Sequence, residues 1–340
     1  MKPYTSILAI LLACGSAQAA VTATTTPVGY VSATVAGATG SVAGYTWIAT
    51  PLVQATTFAG QLVSWSTTSG HTTFTFSGNV PTTLGAESLV EVATGDANEG
   101  WWSTVVSSTA TTITVNSAAP VSLSQTANVS VRPHTTLSSF LGANAPGLAP
   151  GLDLTADEVA VLDGSTQLSN SYFYSTAALG APADGWYDGS GNPSDSVVIE
   201  PGYSVLVLKK GAGNSTFTTS GTVKTTKTQI DIYHGDNWVS PGNPVGTTLA
   251  ALNLDTGSTA TGVLEGSDLT TDTFVLTDLT QLSNSYFAAD PVATGGYTGW
   301  FDGGGNPAGT VAVGPSTGAV IKRVYSGSAV WTVPAVTVAP

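Results

Sequence analysis

The octapeptide TQLSNSYF occurs at Thr166–Phe173 and again, letter for letter, at Thr280–Phe287, an offset of 114 residues. The same offset relates GWYDGSGNP at Gly185–Pro193 to GWFDGGGNP at Gly299–Pro307. Two matches at one spacing are typical of a duplicated structural unit. We therefore interpret the octapeptide as a landmark of repeated architecture, and not as evidence of two binding sites.

The repeat extends to both sides of the octapeptide. The segment VVIEPGYSVLVLKK at Val197–Lys210 matches VAVGPSTGAVIKRV at Val311–Val324. Upstream, DLTAD in the first copy pairs with DLTTD in the second, one residue out of register. Asp153–Lys210 and Asp268–Val324 are thus two copies of one module.

A weaker similarity reaches further along the chain. WVSPGNPVGTTLA at Trp238–Ala250 resembles WIATPLVQATTFA at Trp47–Ala59, and FTTSGTV at Phe217–Val223 resembles FTFSGNV at Phe74–Val80. These matches indicate one ancestral β-unit that was duplicated, with an insertion at about residues 60–133 in the first copy.

Alternation of apolar and polar residues dominates the chain. Segments such as TTITV at Thr111–Val115 are rich in Val, Thr and aromatic residues and are bounded by Gly, Pro, Asn or Asp, as strands are. Helical periodicity is nearly absent. The sequence predicts an all-β fold of duplicated β-sandwich-like modules, with an additional small β-meander or barrel module near the N-terminus. The predicted boundaries are 1–19 for a signal peptide, 20–133 for an N-terminal β domain, 134–230 for module copy 1 and 231–340 for module copy 2.

The octapeptide itself ends in two adjacent aromatic residues, which in a strand point to opposite faces. We expect at least one of Tyr172 and Phe173, and at least one of their counterparts in the second copy, to anchor the core. Asn170 and Asn284 are expected to take part in the local turn.

The first residues have the pattern of an export signal. Lys2 supplies a positive charge, Ile7–Ala13 is a short apolar run, and Ala17–Ala19 has the small residues of a signal-peptidase site. The run is far shorter than the roughly 20 residues that cross a bilayer. We expect export to the periplasm, cell surface or extracellular space, with no transmembrane segment after signal cleavage. Cys14 leaves an alternative, a lipoprotein anchored at that residue.

Composition limits the partners that the protein can have. Charged residues make up 9% of the chain, and 21 acidic against eight basic residues give a net charge of −13. Nucleic acids need a basic surface to neutralise their phosphates, so we expect no nucleic-acid partner. Cys14 is the only cysteine, so the mature chain contains no disulfide to stabilise it.

Several landmarks together resemble those of a known family. They are TTTPVGYV at Thr24–Val31, EGWWSTVVSSTATTITV at Glu99–Val115 and VRPHTTLSSFLG at Val131–Gly142, followed by the Tyr-Phe pair and the Pro-Gly strand. With them the chain resembles an uncharacterised family of exported, β-rich proteins seen mainly in Verrucomicrobia-type bacteria. The resemblance implies export and a shared architecture, and it implies no activity.

The matched Asp-Gly-x-Gly-Asn-Pro turns contain the candidate metal ligands. Alternating oxygen-bearing side chains suit calcium, the one cofactor that the sequence suggests, although the terminal Glu of an EF-type loop is missing. An Asp that caps a tight turn is the simpler interpretation. The calcium candidates are Asp188, Asn192, Asp302 and Asn306.

Trp186 and Trp300 border the same turns and are candidates for ligand binding, because exposed indoles stack on sugar rings. Packing of the core is the alternative for both residues. Arg132-Pro133-His134 is predicted to be structural, with Arg132 and His134 donating hydrogen bonds to a neighbouring loop.

No pattern of a catalytic site is recognisable, since the chain has neither a G-x-S-x-G nor an H-E-x-x-H motif. The predicted function is that of an exported, non-enzymatic envelope or extracellular protein with a structural, adhesive or binding role. Its predicted partner is a cell-surface glycan or protein, and self-association is a further option. The alternative is a polysaccharide-binding module or a glycan-acting hydrolase.

Overall fold

The computed structural model describes residues 27–336, and in this range the regular secondary structure is almost entirely antiparallel β-strand, joined by extensive turns and loops. One short helix, α1, spans Leu137–Leu141, and two 3-10 turns span Ala177–Leu179 and Ala250–Leu252. No helix in residues 27–336 has the length and apolar character that crossing a membrane requires. The strands in chain order are β1 (Val28–Val35), β2 (Gly44–Ile48), β3 (Leu52–Val53), β4 (Phe58–Gln61), β5 (Ser64–Thr68), β6 (His71–Thr75), β7 (Ser88–Val92), β8 (Trp102–Ser108), β9 (Thr112–Val115), β10 (Asn128–Pro133), β11 (Thr135–Thr136), β12 (Glu158–Asp163), β13 (Leu168–Ser175), β14 (Gly185–Asp188), β15 (Val198–Ile199), β16 (Val205–Lys209), β17 (Ser215–Val223), β18 (Thr228–Ile232), β19 (Gly235–Val239), β20 (Thr247–Thr248), β21 (Thr273–Thr277), β22 (Ser283–Ala289), β23 (Gly299–Asp302), β24 (Ala312–Val313), β25 (Ala319–Arg323) and β26 (Ala329–Val333).

Two units with the same sheet topology account for most of these strands. The first contains a five-stranded sheet of order β14-β13-β12-β16-β2, and the second contains the equivalent sheet β23-β22-β21-β25-β19. The pairs β11-β15 and β1-β17 of the first unit correspond to β20-β24 and β18-β26 of the second. The predicted all-β fold of duplicated sandwich-like modules is therefore confirmed.

The boundaries of the units differ from the predicted ones. Strand β2 pairs with β16, so β1 to β3 belong to the first unit, whereas the sequence placed them in the N-terminal domain 20–133. Strand β18 pairs with β26 and begins the second unit at Thr228, three residues before the predicted boundary at 231. The weak similarity of Trp47–Ala59 to Trp238–Ala250 indicated this arrangement, but the predicted boundaries did not follow it, because the first unit is interrupted between β3 and β11. The predicted signal peptide at 1–19 lies outside the described residues.

The interruption is an inserted seven-stranded sheet of order β4-β10-β7-β8-β9-β6-β5. This sheet is the predicted insertion. Its edge strands β4 and β5 are consecutive in the chain, so the sheet curls until its two edges approach each other, and it remains open. The similarity of Phe74–Val80 to Phe217–Val223 has no structural counterpart, because β6 belongs to the insertion and β17 to the first unit. The similarity between Trp47 and Trp238 is real, since β2 and β19 occupy equivalent positions.

A buried ion pair is repeated in both units. Asp157 lies 3.5 Å from the ammonium of Lys209, and its counterpart Asp272 lies 3.3 Å from the guanidinium of Arg323. Both carboxylates also accept main-chain N–H groups, among them those of Lys210 and Val324. These bonds compensate for the loss of water around a buried charge, so the second Asp of each DLT(A/T)D motif is part of the architecture.

The octapeptides lie in strands β13 and β22 and in the turns before them. Tyr172 and Phe173 are buried, as are their counterparts in the second copy, so their predicted role in the core is confirmed. Asn170 and Asn284 are exposed strand residues, and their predicted role in the turn is wrong. The turn instead depends on the glutamine of the octapeptide, which has a positive φ in both copies, a left-handed conformation that side chains rarely adopt.

The two units exchange main-chain hydrogen bonds through an approximate two-fold relation. The N–H of Ser204 donates to the carbonyl of Trp238 at 3.0 Å, and the N–H of Gly318, its counterpart, donates to the carbonyl of Trp47 at 3.0 Å. The two indoles meet edge to face, with ring centroids 6.2 Å apart. Each edge strand, β2 or β19, thus has partners from both units. We call this contact the two-fold junction.

The glutamines of the octapeptides reinforce the two-fold junction from both sides. Gln281 of the second unit accepts from the N–H of Tyr45 in β2 at 3.1 Å, and its carbonyl accepts from the Tyr45 hydroxyl at 3.0 Å. Gln167 of the first unit accepts from the N–H of Asp236 in β19 at 2.7 Å. Gly235 beside it has φ +101°, and a Cβ there would lie 2.3 Å from the Gln167 amide oxygen. Each octapeptide therefore contacts the first residues of the other unit's edge strand.

We predict that each glutamine protects one amide of the other unit. Gln281→Ala will speed hydrogen exchange at the Tyr45 amide about fivefold, because a lost hydrogen bond costs roughly 1 kcal/mol. Gln167→Ala will do the same at Asp236. Amide exchange measured by NMR tests this, with each variant serving as the control for the other. Equal acceleration at both amides in either variant would contradict the assignment.

Candidate functional site

A cleft of about 720 Å³ opens where the inserted sheet and both units meet. Trp101 to Thr104 of the inserted sheet form one wall. The opposite walls come from Asp163, Glu200 and Tyr203 of the first unit and from the strand Gln229–Asp231 with Tyr233 of the second. The volume is in the range of small-molecule and oligomer binding sites. We call this feature the central cleft.

Hydrogen bonds fix the inserted sheet against the second unit beside the cleft. The Trp102 indole N–H donates to the carbonyl of Gln229 at 3.2 Å, and the N–H of Gln229 donates to the carbonyl of Gly100 at 3.1 Å. The N–H of Lys227 donates to a carboxylate oxygen of Glu99 at 3.1 Å. The wall that contains Trp102 is therefore held in place by β18 and the residues before it.

A buried charge network holds the linker between the units. Glu91 on β7 forms ion pairs with Arg132 on β10 and, at 2.5 Å, with the ammonium of Lys224. All three side chains are at least 90% buried. Burial lowers the pKa of Lys224, and the charge of Glu91 opposes that shift. Removal of one member would leave an uncompensated buried charge, so the network holds the inserted sheet to the linker at Lys224.

The predicted structural role of Arg132 and His134 is confirmed with different partners. Arg132 pairs with Glu91 within the same sheet, and the His134 ring bonds the Thr104 hydroxyl at 3.2 Å, so both contact strands and not a loop. His134 lies behind the cleft wall, its ring edge to face with that of Trp102 at 6.3 Å. Burial and the nearby charge of Arg132 lower its pKa to about 4, so the ring is neutral at pH 7.

Two tyrosines form the floor of the central cleft. Tyr203 is buried, and its hydroxyl donates to the main-chain carbonyl of Asp231 at 2.8 Å. Tyr233 is half-buried, and its hydroxyl lies 3.4 Å from the Asp231 carboxylate. Burial, followed by the charge of Asp231, raises the pKa of Tyr233 to about 12. Both rings pack against Gly164, where a Cβ would lie 3.2 Å from Tyr233 and 3.3 Å from Tyr203.

Three carboxylates face the central cleft, and their pKa values shift in different directions. Partial desolvation raises the pKa of Glu200, and the charges of Asp163 and Asp231 add to this shift, although Glu200 remains exposed to solvent. Partial desolvation also raises the pKa of Asp231, which is likewise exposed. Hydrogen bonds from Ser165 lower the pKa of Asp163, which caps a turn. The pKa values of Glu200 and Asp231 are thus raised, whereas that of Asp163 is lowered.

Comparison of the two units shows which cleft residues belong to the repeated structure and which do not. Asp163 has a counterpart in Asp278, which caps the equivalent turn. Glu200 and Tyr203 have no such counterparts, because the aligned residues in the second copy are Gly314 and Thr317. The cleft is therefore built where the duplicated units have diverged.

Trp186 and Trp300 require a correction. They are 0% and 2% exposed, and each ring packs edge to face against an aromatic residue of its own unit, Tyr174 and Phe274 respectively. A sugar ring has no access to either indole. Both indoles pack in the core and do not contact a ligand. Core packing was the alternative that the sequence left open.

The calcium candidates are engaged in turn capping. The Asp188 carboxylate accepts from the N–H groups of Ser190 at 2.9 Å and Asn192 at 2.8 Å, and Asp302 accepts from Asn306 at 2.8 Å in the same way. Hydrogen bonds from Asn192 lower the pKa of Asp188. Within residues 27–336, no three His, Cys, Asp or Glu side chains are grouped so that they could hold a metal ion. Calcium binding at Asp188, Asn192, Asp302 and Asn306 stays a prediction.

No family model matches this chain, and no curated protein or solved structure is significantly similar to it. The central cleft therefore has to be interpreted from its own residues. Sequence patterns did not reveal the cleft, because its walls come from several segments that are far apart in the chain. The mismatched positions of the repeat, Glu200 against Gly314 and Tyr203 against Thr317, were the available signal.

We predict that His134 makes the fold sensitive to mild acid. Its pKa is about 4 when folded against an ordinary value of 6.5, so between these pH values the unfolded chain binds a proton that the folded chain excludes. Stability therefore falls as the pH drops from 6.5 to 4, by about 3 kcal/mol from this residue.

Urea unfolding of wild type and His134→Gln at pH 7 and pH 4 tests this prediction. The variant keeps a polar group near Thr104, and the carboxylates titrate equally in both proteins. Its loss of stability between the two pH values should be smaller by about 3 kcal/mol. Parallel losses would show that His134 is not kept neutral by the fold.

Proposed function

We propose that this is an exported, non-enzymatic binding protein of the bacterial envelope or extracellular space, and that its central cleft binds a glycan. The export signal that the sequence predicts at residues 1–19 supports the location, with anchoring through Cys14 as the alternative. The observation that supports glycan binding is one cleft that combines aromatic rings with hydrogen-bonding groups. Tyr233 and Trp102 supply the rings, and Asp163, Glu200 and Asp231 supply the acceptors.

Sugar rings have apolar faces and polar edges, and this cleft matches both. The ring of Tyr233 is half-buried and fixed by its packing against Gly164, so little conformational entropy is lost when a ligand covers it. Carboxylates accept hydrogen bonds from hydroxyl groups strongly, because the acceptor is charged. A ligand made of several such rings would fill a volume of about 720 Å³.

Glycan hydrolysis is the second candidate, and one observation favours it. Glu200 and Asp163 line the same cleft with pKa values shifted in opposite directions, as the acid and base of glycosidases require. However, the bonds of Asp163 are those of a turn cap, which Asp278 repeats although it does not line the cleft. The capping role accounts for Asp163 fully, so binding is the better-supported function.

We predict that Tyr233→Ala weakens glycan binding about tenfold, the equivalent of about 1.4 kcal/mol, because it removes the stacking surface. Isothermal titration calorimetry with a panel of soluble polysaccharides and oligosaccharides measures the affinity. Tyr30→Ala is the matched control, since Tyr30 is 75% exposed on β1 and is not part of the cleft.

Two results would contradict the proposal. The first is that no member of the panel binds the wild type. The second is that Tyr233→Ala and Tyr30→Ala have the same affinity. Release of reducing ends during the titration, abolished in Glu200→Gln, would instead identify the protein as a hydrolase.

A further inference from the structure

The central cleft contains negative charge without a compensating cation. Asp163, Glu200 and Asp231 line it, and no Lys, Arg or His of residues 27–336 is among its lining residues. Lys224 and Lys227, which precede the cleft strand that starts at Thr228, are paired with Glu91 and Glu99. His234 follows Tyr233 in the chain but is not among the residues that line the cleft. The charges of the cleft are therefore free to act on a ligand.

Glu200 and Asp231 also retain most of their hydrogen-bonding capacity. In the described part of the chain, the Glu200 carboxylate has neither a hydrogen bond nor an ion pair, and Asp231 has only the Tyr233 hydroxyl at 3.4 Å. Asp163, by contrast, accepts from Ser165 and Thr166. A carboxylate can accept about four hydrogen bonds, so the first two have room for donors from a ligand.

The fold does not need the carboxylate of Glu200, because the second unit forms the same structure without one. Strand β24 of the second unit ends at Val313, and Gly314 follows it at the position equivalent to Glu200, so the sheet forms without a carboxylate there. The other carboxylates of the repeat that we described, Asp157 and Asp188, have counterparts with the same bonds. The Glu200 carboxylate therefore has no role in the fold, and the negative charges of Asp163 and Asp231 act on it. Its position in the cleft requires another explanation.

We propose that the ligand of the central cleft is a glycan with free, protonated amino groups, held by Glu200 and Asp231. This inference rests on the proposed function and names the class of glycan. An ammonium between the two carboxylates relieves their repulsion and donates up to three hydrogen bonds. The adjacent ring of Tyr233 attracts the same charge through its π face. Acidic glycans are disfavoured by the cleft and by the net charge of −13.

The test compares two glycans that differ in one group. Oligomers of glucosamine and their fully N-acetylated counterparts of equal length are titrated into the full chain at pH 6 and low salt. We expect the free amine to bind at least tenfold more tightly. Glu200→Gln should remove this preference, while Asp268→Asn, an exposed carboxylate outside the cleft, should retain it. The preference should also shrink at high ionic strength.

Different outcomes separate this inference from the proposed function. Equal affinity for the two oligomers, or a preference that survives Glu200→Gln with an unchanged melting temperature, overturns the inference and leaves glycan binding intact. No binding of any glycan overturns both. A lysine-rich peptide that binds the cleft more tightly than the amino oligomers also overturns it, in favour of a protein partner.

Discussion

The two-fold junction is the contact on which the remaining structure depends. Each unit has an edge strand, β2 or β19, with main-chain groups that would otherwise be free to pair with another molecule. The carbonyls of Trp47 and Trp238 accept from Gly318 and Ser204 of the opposite unit, so each unit completes the other. The glutamine of each octapeptide adds a bond at the start of the same strand. The relation has the reciprocity of a symmetric dimer interface, formed here within one chain.

This junction leads directly to the position of the central cleft. Because the units face each other through equivalent strands, the connection between them is limited to the four residues 224–227. The inserted sheet binds that connection through Glu91 and Glu99, and thereby places Trp102 opposite Tyr233. The cleft is thus a product of duplication followed by insertion, and its chemistry resides at the positions where the copies differ.

The fold class and the duplication could be predicted, because they follow from periodic patterns in the sequence. Features that depend on long-range contacts could not be predicted. Alternation predicted the β class, and the constant offset predicted two copies, because both signals are local or repeated. The burial of Trp186 and Trp300 could not be decided, since an aromatic residue beside a glycine-rich turn is compatible with core and surface alike. The left-handed turn at Gln167 and Gln281 was also missed, because sequence preferences assign such turns to asparagine or glycine. The cleft joins segments more than 100 residues apart, and only the topology brings them together.

Hydrogen–deuterium exchange of the full chain, with and without saturating glucosamine oligomer, tests most directly whether function resides in the cleft or in the repeat. We predict that added protection is confined to the cleft walls, which are residues 98–104, 116–120, 163–165, 200–203, 229–233, 261 and 330–332. Protection at Leu168–Ser171 and Leu282–Ser285, the exposed parts of the two octapeptides, would contradict it. That result would make the repeated octapeptides binding sites and the cleft a by-product of the fold.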